Sequence, residues 1–385
     1  MISIKYKNLY DAFIKHYKDT HVNPWHEISE DELQAIYDDL TGKMEVDDDY
    51  TFNYLMNYII KRLSGLEDAH TEYDDWKFIP LLFRVFDNEV YISWPLELKG
   101  EKVLTINSIP IQNILDELED IITYGTEGKK IHRYEKSLFN AKKLYGLPSL
   151  RGSSNLNIRT LGKDGLISNH TYEKDIKYPC PPFYGYWEDN ATYKIKGEAL
   201  IYKHFSVQKQ FEEKIQQAFL ELEKEDLSNV SKIIIDLRGN TGGNSKLNKP
   251  LIDFVNKNQD KTLIVLTDYR IFSGGRYALV DLIKAGAITI GGKIGTPLNC
   301  YGNSNWIRID NYAFSASESY LSPGLDRSIF APSKEDFQKN ITKRDLVLNI
   351  FEPDIYIEET LEDFLRENDP VMDEAINYQP SNRLK

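Results

Sequence analysis

Only two cysteines, Cys180 and Cys300, occur in 385 residues. That is too few for a disulfide framework, and their spacing gives no support to zinc. Positive charge is also short: 47 Lys and Arg against 60 Asp and Glu leave a net charge of −13, which argues against a nucleic-acid groove as the main function. No stretch approaches the ~18–20 apolar residues of a membrane span. The first segment, MISIKYKNLYDAFIKHYKD, lacks an apolar signal core, which predicts a cytoplasmic protein or an exported one whose leader has been removed. His16, His21 and His26 fall five apart, off a single helix face, so no metal site is expected there. The acidic run from Glu45 to Asp49 has neither the ligand spacing nor the glycine of a calcium loop and reads as a solvated helix start. Repeats and low-complexity tracts are absent.

What remains is an ordinary globular composition, 41% hydrophobic, at a length that suggests two or three domains. Residues 1–76 read as a helical region. Leu33, Ile36, Tyr37 and Leu40 recur at helical spacing, as do Phe52, Leu55, Met56, Ile59, Ile60 and Leu63,. Ser64–Gly65 breaks that second helix, so His70 falls in a loop behind it. From 77 to 195 the pattern changes. Strands are expected at 81–85, 90–94 and 102–106, then helices at 111–124 and 129–144. The segment 155–195, rich in Pro and aromatics, reads as a linker. Residues 196–385 alternate strand and helix, which implies right-handed crossovers and a largely parallel sheet.

The chain is organised around 232–275. Ile233–Ile234–Ile235–Asp236–Leu237 is a short apolar run of the kind that forms a buried parallel strand. Gly239, Gly242 and Gly243 follow, where backbone N–H groups can approach a ligand closely. A helix and a second apolar strand lead to Phe272–Ser273–Gly274–Gly275, which opens another helix. A serine at such a turn is either a helix cap or an exposed hydroxyl beside N–H groups able to stabilise an oxyanion.

DLRGNTGG, running from Asp236 to Gly243, resembles the D-L-R-x-N-x-G-G signature of the tail-specific, or carboxyl-terminal-processing, serine peptidases. Their relatives include the tricorn protease core and the retinoid-binding proteins of the eye. Three further stretches match in order. Asp68–Ala69–His70–Thr71 is similar to the family's D-x-H-T, Glu352–Pro353–Asp354–Ile355 to its P-D-I motif, and Asp369–Pro370 through Ile376 to its terminal helix. Val103 to Ile111 resembles the opening of a PDZ-like module, with Ser108 in place of the usual glycine.

The resemblance implies an α/β protein with three parts: the helical region, a PDZ-like α+β module with a helical insertion, and a ClpP/crotonase-like peptidase domain from 196. It implies a serine endopeptidase acting on peptides or proteins through an acyl-enzyme, without metal or organic cofactor. Ser273 is then the nucleophile, His70 the base, and Gly274 with Gly242 the oxyanion donors. The lysine that many processing peptidases place after the serine has no counterpart: the position falls at Leu298, and Lys293 is out of register. Its absence, with Gly295 to Gly302, resembles a Gram-positive branch and gives Asn299 a possible positioning role. The orienting acid of the triad aligns with Val347, flanked by Asp345 and Glu352. Arg276 replaces a glutamate usual in the family. That charge reversal keeps a second reading in view, an inactive relative that holds a peptide or apolar ligand. An acyl-CoA enzyme is a third, to which the D-L-R-x-N-x-G-G signature is foreign.

Overall fold

The computed structural model describes residues 1–66, 68–174, 176–179, 189–298, 300–321 and 351–379. They fall into two compact units. The first contains everything described up to residue 179 plus two strands from much later in the chain; the second contains the remainder.

The first unit begins with three helices, α1 (Ile4–Thr20), α2 (Glu30–Lys43) and α3 (Asp49–Ser64). A Ser29–Glu32 capping box starts α2,. Asp48 caps α3 by accepting the Tyr50 and Thr51 N–H groups at 2.7 and 3.0 Å, so the acidic run does open a helix. The apolar stripe of α3, from Phe52 to Leu63, is buried against Phe13 and Tyr17 of α1.

After α3 come β1 (Tyr73–Asp74), β2 (Leu82–Phe86), β3 (Glu89–Trp94), β4 (Lys102–Ile106) and β5 (Ile109–Pro110). Asn107 and Ser108 both take positive φ, 49° and 67°, the turn geometry that favours Asn-Gly between paired strands. Helix α4 (Ile111–Glu119) follows. The expected helix at 129–144 is two, α5 (Glu127–Leu138) and α6 (Ala141–Gly146). Asn140 breaks them, its side chain accepting the Lys142 N–H at 3.0 Å. The segment read as a linker instead opens with two strands, β6 (Asn155–Leu161) and β7 (Ile167–Glu173). They extend an antiparallel sheet of order β2-β3-β4-β6-β7. Only β6 buries a regular apolar face, through Leu156 and Ile158; β7 is a polar edge strand, which hides it from hydrophobic periodicity.

The second unit starts with β8 (Thr192–Lys196), β9 (Ala199–Lys203), α7 (Glu212–Leu222) and β10 (Lys232–Asp236). It continues with α8 (Lys249–Lys257), β11 (Thr262–Thr267), α9 (Gly274–Lys284) and β12 (Ile288–Gly291). The two late strands of the first unit are β13 (Cys300–Ile309) and β14 (Tyr312–Leu321), which join β1 in the order β1-β14-β13. The chain then returns to the second unit with β15 (Ile355–Tyr356), α10 (Leu361–Arg366) and α11 (Pro370–Asn377). The sheet order is β15-β12-β11-β10-β9-β8, parallel from β9 to β15. Every residue of β10 is buried. Ile233 and Ile235 meet residues of α7, α8 and α9 on one face, while Ile234 meets Val371 and Ala375 of α11 on the other. Two covered faces explain the unbroken apolar run. No helix among the described residues is long and apolar enough to cross a membrane.

Candidate active site

The residues singled out in 232–275 converge at one end of the second unit's sheet. Beyond β10, Arg238 reaches back to both oxygens of Asp236 at 2.9 and 2.8 Å and outward to both of Asp369 at 2.7 and 2.8 Å. The paired guanidinium contacts fix geometry as well as charge. Burial alone would raise the Asp369 carboxyl; hydrogen bonds and charge from Arg238 overcome this and hold it low,. Two motifs far apart in sequence are thus one ion-pair cluster. Asp354 ties β15 to β12 by accepting the Thr289 N–H and hydroxyl at 3.0 and 3.1 Å.

The glycine turn lies against the serine turn. Gly242 has φ 100° and Gly243 φ 125°, both in the region that favours glycine. A Cβ on Gly242 would lie 2.5 Å from Gly274 N and 2.7 Å from Ser273 Cβ. No side chain fits there, so the bare Cα is what permits the approach. Ser273 has φ 48° and ψ −119° and sits between β11 and α9 without capping the helix. Ser273 thus holds a strained backbone at a strand-to-helix turn, with its hydroxyl free of capping,. The helix-cap reading of Ser273 is therefore not realised.

Gly242, an expected oxyanion donor, has its N–H engaged. The N–H of Gly242 donates to Asn240 Oδ1 at 2.9 Å, an Asx-type turn that commits it. By contrast, the N–H groups of Gly243 and Gly274 make no hydrogen bond among the described residues. Within the Gly242–Gly243 turn the unengaged N–H is therefore that of Gly243. Asn240 also accepts the Phe272 N–H on its carbonyl at 2.9 Å and so binds the two turns together. Arg276, in the first turn of α9, is fully buried at 0% exposure, and its guanidinium donates to the Pro297 carbonyl at 3.2 Å. Lys293 and Glu352 form an exposed ion pair at 2.7 Å. Asn299, Asp345 and Val347 lie outside the described residues, as does Cys180.

His70 belongs to the first unit, in the loop between α3 and β1. Its backbone is clamped: the N–H donates to Asp68 Oδ1 at 3.1 Å, and the carbonyl accepts Ser304 and Ser315 hydroxyls at 3.1 and 2.8 Å. Asp68 is fully buried and also accepts the Thr71 N–H at 3.0 Å, the Thr71 hydroxyl, and the Ser317 hydroxyl at 2.6 Å. His21 completes the set, with Nε2 3.0 Å from Asp68 Oδ2. Because His21 Nδ1 accepts the Asn23 N–H at 3.0 Å, Nε2 carries the proton and donates. Burial pushes the Asp68 carboxyl up, but these hydrogen-bond donors, His21 first, hold it well below the carboxylate range,. Sequence reasoning named His21 only as a rejected metal ligand, and nothing local links it to a carboxylate 47 residues away.

Two other histidines are held neutral by burial, His26 and His204, each with its pKa lowered to about 4. The unfolded chain takes up those protons first, so stability falls as pH drops from about 6.5 towards 4. Each group is expected to cost about 2 kcal/mol at pH 5, since each pH unit below the unfolded value counts for about 1.4 kcal/mol. Urea unfolding at pH 7, 6 and 5 checks this. Asp49 and Asp68 are held low in the fold, so their contribution is lost only below the ordinary carboxylate pKa of about 4. A stability curve flat from pH 7 to 5 would contradict the assignment.

No family model and no curated protein sequence matches this chain. Solved structures do. The crystal structure of mature CPAF matches with a TM-score of 0.64 at 12% identity, over 97% of this chain and 98% of that one. Mature CPAF complexed with lactacystin matches with 0.63 at 11% identity, over 97% and 100%. The photosystem II D1 C-terminal processing protease also matches, with 0.43 at 12% identity over 92% and 94%. The chain thus shares the fold of mature CPAF along nearly its whole length.

Proposed function

We propose that the chain is a serine endopeptidase of the tail-specific type. Ser273 Oγ attacks the scissile carbonyl, and His70 takes the proton and returns it to the leaving amine. The N–H groups of Gly274 and Gly243 stabilise the tetrahedral oxyanion, with Gly242 supplying the bare backbone that lets the two turns meet. Water then releases the acyl group. This chemistry calls for no metal or organic cofactor, and its substrate is a peptide or protein. Asn299 is assigned a positioning role on motif grounds alone.

The observation that carries the reading is the backbone of Ser273, φ 48° and ψ −119° at the start of α9 with the hydroxyl left out of capping. Strain of this kind persists where surrounding contacts over-determine it, and it concentrates at reacting groups. The D-x-H-T match and the clamped loop support His70 as the base. The parallel order from β9 to β15 supports a ClpP/crotonase-like peptidase domain from 196. The antiparallel sheet with α4 supports a PDZ-like module at 77–195, after a helical region at 1–76. The lost lysine supports the tricorn-core and retinoid-binding-protein-like branch, of the Gram-positive type.

A fluorophosphonate probe tests this. Covalent capture mapped by mass spectrometry to Ser273, and absent from Ser273→Ala, is expected. Failure to label a folded protein that also leaves casein intact would turn the reading towards a binding protein on a peptidase scaffold.

A further inference from the structure

Beside the serine turn lie two buried polar side chains, His204 and Asn248, that none of the motifs names. His204 follows β9 and is fully buried at 0% exposure. Its Nε2 lies 2.9 Å from Asn248 Oδ1. Asn248, 2% exposed, directs Nδ2 to the Gly274 carbonyl at 3.1 Å. These contacts fix the proton positions. A carbonyl must accept, so Asn248 presents its amide donor to Gly274 and its oxygen to the imidazole, and His204 Nε2 carries the hydrogen. His204 Nδ1 has no partner among the described residues, consistent with a neutral ring. The main-chain carbonyl of His204 accepts Asn240 Nδ2 at 2.7 Å, and Asn240 Oδ1 accepts the Gly242 N–H at 2.9 Å. One residue therefore holds both turns, through its ring on the Gly274 side and its carbonyl on the Gly242 side.

Glycine turns have no side chains with which to lock themselves, so their aim depends on bonds from outside. An apolar side chain would fill the His204 site without the desolvation cost of an imidazole. We propose that His204 and Asn248 are positioning residues for the oxyanion pocket, fixing the direction in which the Gly274 N–H points relative to that of Gly243. The proposal rests on Ser273 being the nucleophile. Its effect falls on the step in which negative charge develops, and substrate binding is left largely alone.

The test uses His204→Leu, Asn248→Leu, Asn248→Asp and His204→Gln in the full chain, with fluorescein-labelled casein and the fluorophosphonate probe. Asn248→Asp keeps an acceptor for the imidazole but loses the donor to Gly274. His204→Gln keeps a donor for Asn248. Misaiming an oxyanion donor should cost about 10–100-fold, somewhat less than removing one. The Leu variants and Asn248→Asp should lose that much kcat and labelling rate, with KM within about twofold and His204→Gln recovering most of the loss. Should the Leu variants fail to fold, Asn248→Asp and His204→Gln carry the comparison. Amide exchange over 271–276 gives a readout free of turnover, and faster exchange in Asn248→Asp is expected. Folded variants with unchanged kcat, labelling and exchange would reduce the network to packing and overturn the proposal. Wild-type activity in Ser273→Ala would instead overturn the nucleophile assignment, a result separable from either outcome above.

Discussion

Ser273→Ala is expected to lose casein hydrolysis by on the order of 10⁵-fold or more, the scale seen when an acyl-transfer nucleophile is removed. Little of the loss should come from folding. Alanine keeps the Cβ, so the strain at φ 48° is the same in both proteins, and the serine hydroxyl caps nothing whose loss would be felt. Ser273→Gly separates the two quantities. It releases about 1–3 kcal/mol of backbone strain, offset by about 0.4–1 kcal/mol of added unfolded-chain entropy. A variant equally inactive but more stable by about 1 kcal/mol in urea unfolding is expected. Stability gained where activity is lost would identify the strain as functional. A Ser273→Ala protein with undiminished turnover removes the nucleophile from the mechanism.

The second large effect is expected at Asp68. Asp68→Ala strands the His70 and Thr71 N–H groups, the Thr71 and Ser317 hydroxyls and the His21 imidazole, which all converge on one buried carboxylate. Removing one partner from a buried charged network costs about 3–5 kcal/mol, because the donors left behind have no water to replace it. The loop carrying His70 loses its anchor as well. A displacement of the order of 1 Å at a reacting group costs about 100-fold, so kcat/KM should fall at least that far in whatever fraction remains folded. Asp68→Asn keeps one acceptor oxygen but turns an amide towards one of its donors, and should fall between wild type and Asp68→Ala. Calorimetry and casein turnover on the three proteins check the order. Equal stability in all three would mean that the carboxylate is idle.

Legibility in the sequence followed distance along the chain. The strand-turn-helix around Ser273 was readable because its determinants are local: an apolar run, glycines where φ is positive, and a serine at a helix start. The helix ending before His70 was readable for the same reason. The hydrogen bond that engages the Gly242 N–H was not foreseen, yet its signal was present. An asparagine two residues before a glycine is an Asx-turn pattern, and it engages that N–H. Strand β7 was missed because an edge strand with polar faces carries no alternating hydrophobic signature. The bonds His21–Asp68, Arg238–Asp369 and His204–Asn248 were out of reach, since they span 47, 131 and 44 residues. Hydrogen-bonded polar pairs leave no periodicity; only the fold brings their members together.

The two serines that hold the His70 carbonyl lie 234 and 245 residues further along the chain. A ribosome has therefore completed the whole Ser273 region before the strands that fasten the histidine loop have emerged. The first unit cannot mature in the order in which it is made; it must wait, with part of its interior open, while most of the second is translated. Assembly of this kind is slow and exposes apolar surface in the interval. On the proposed mechanism, a nascent or prematurely terminated chain would hold His70 on an unfastened loop, and hydrolysis would be withheld from incomplete products.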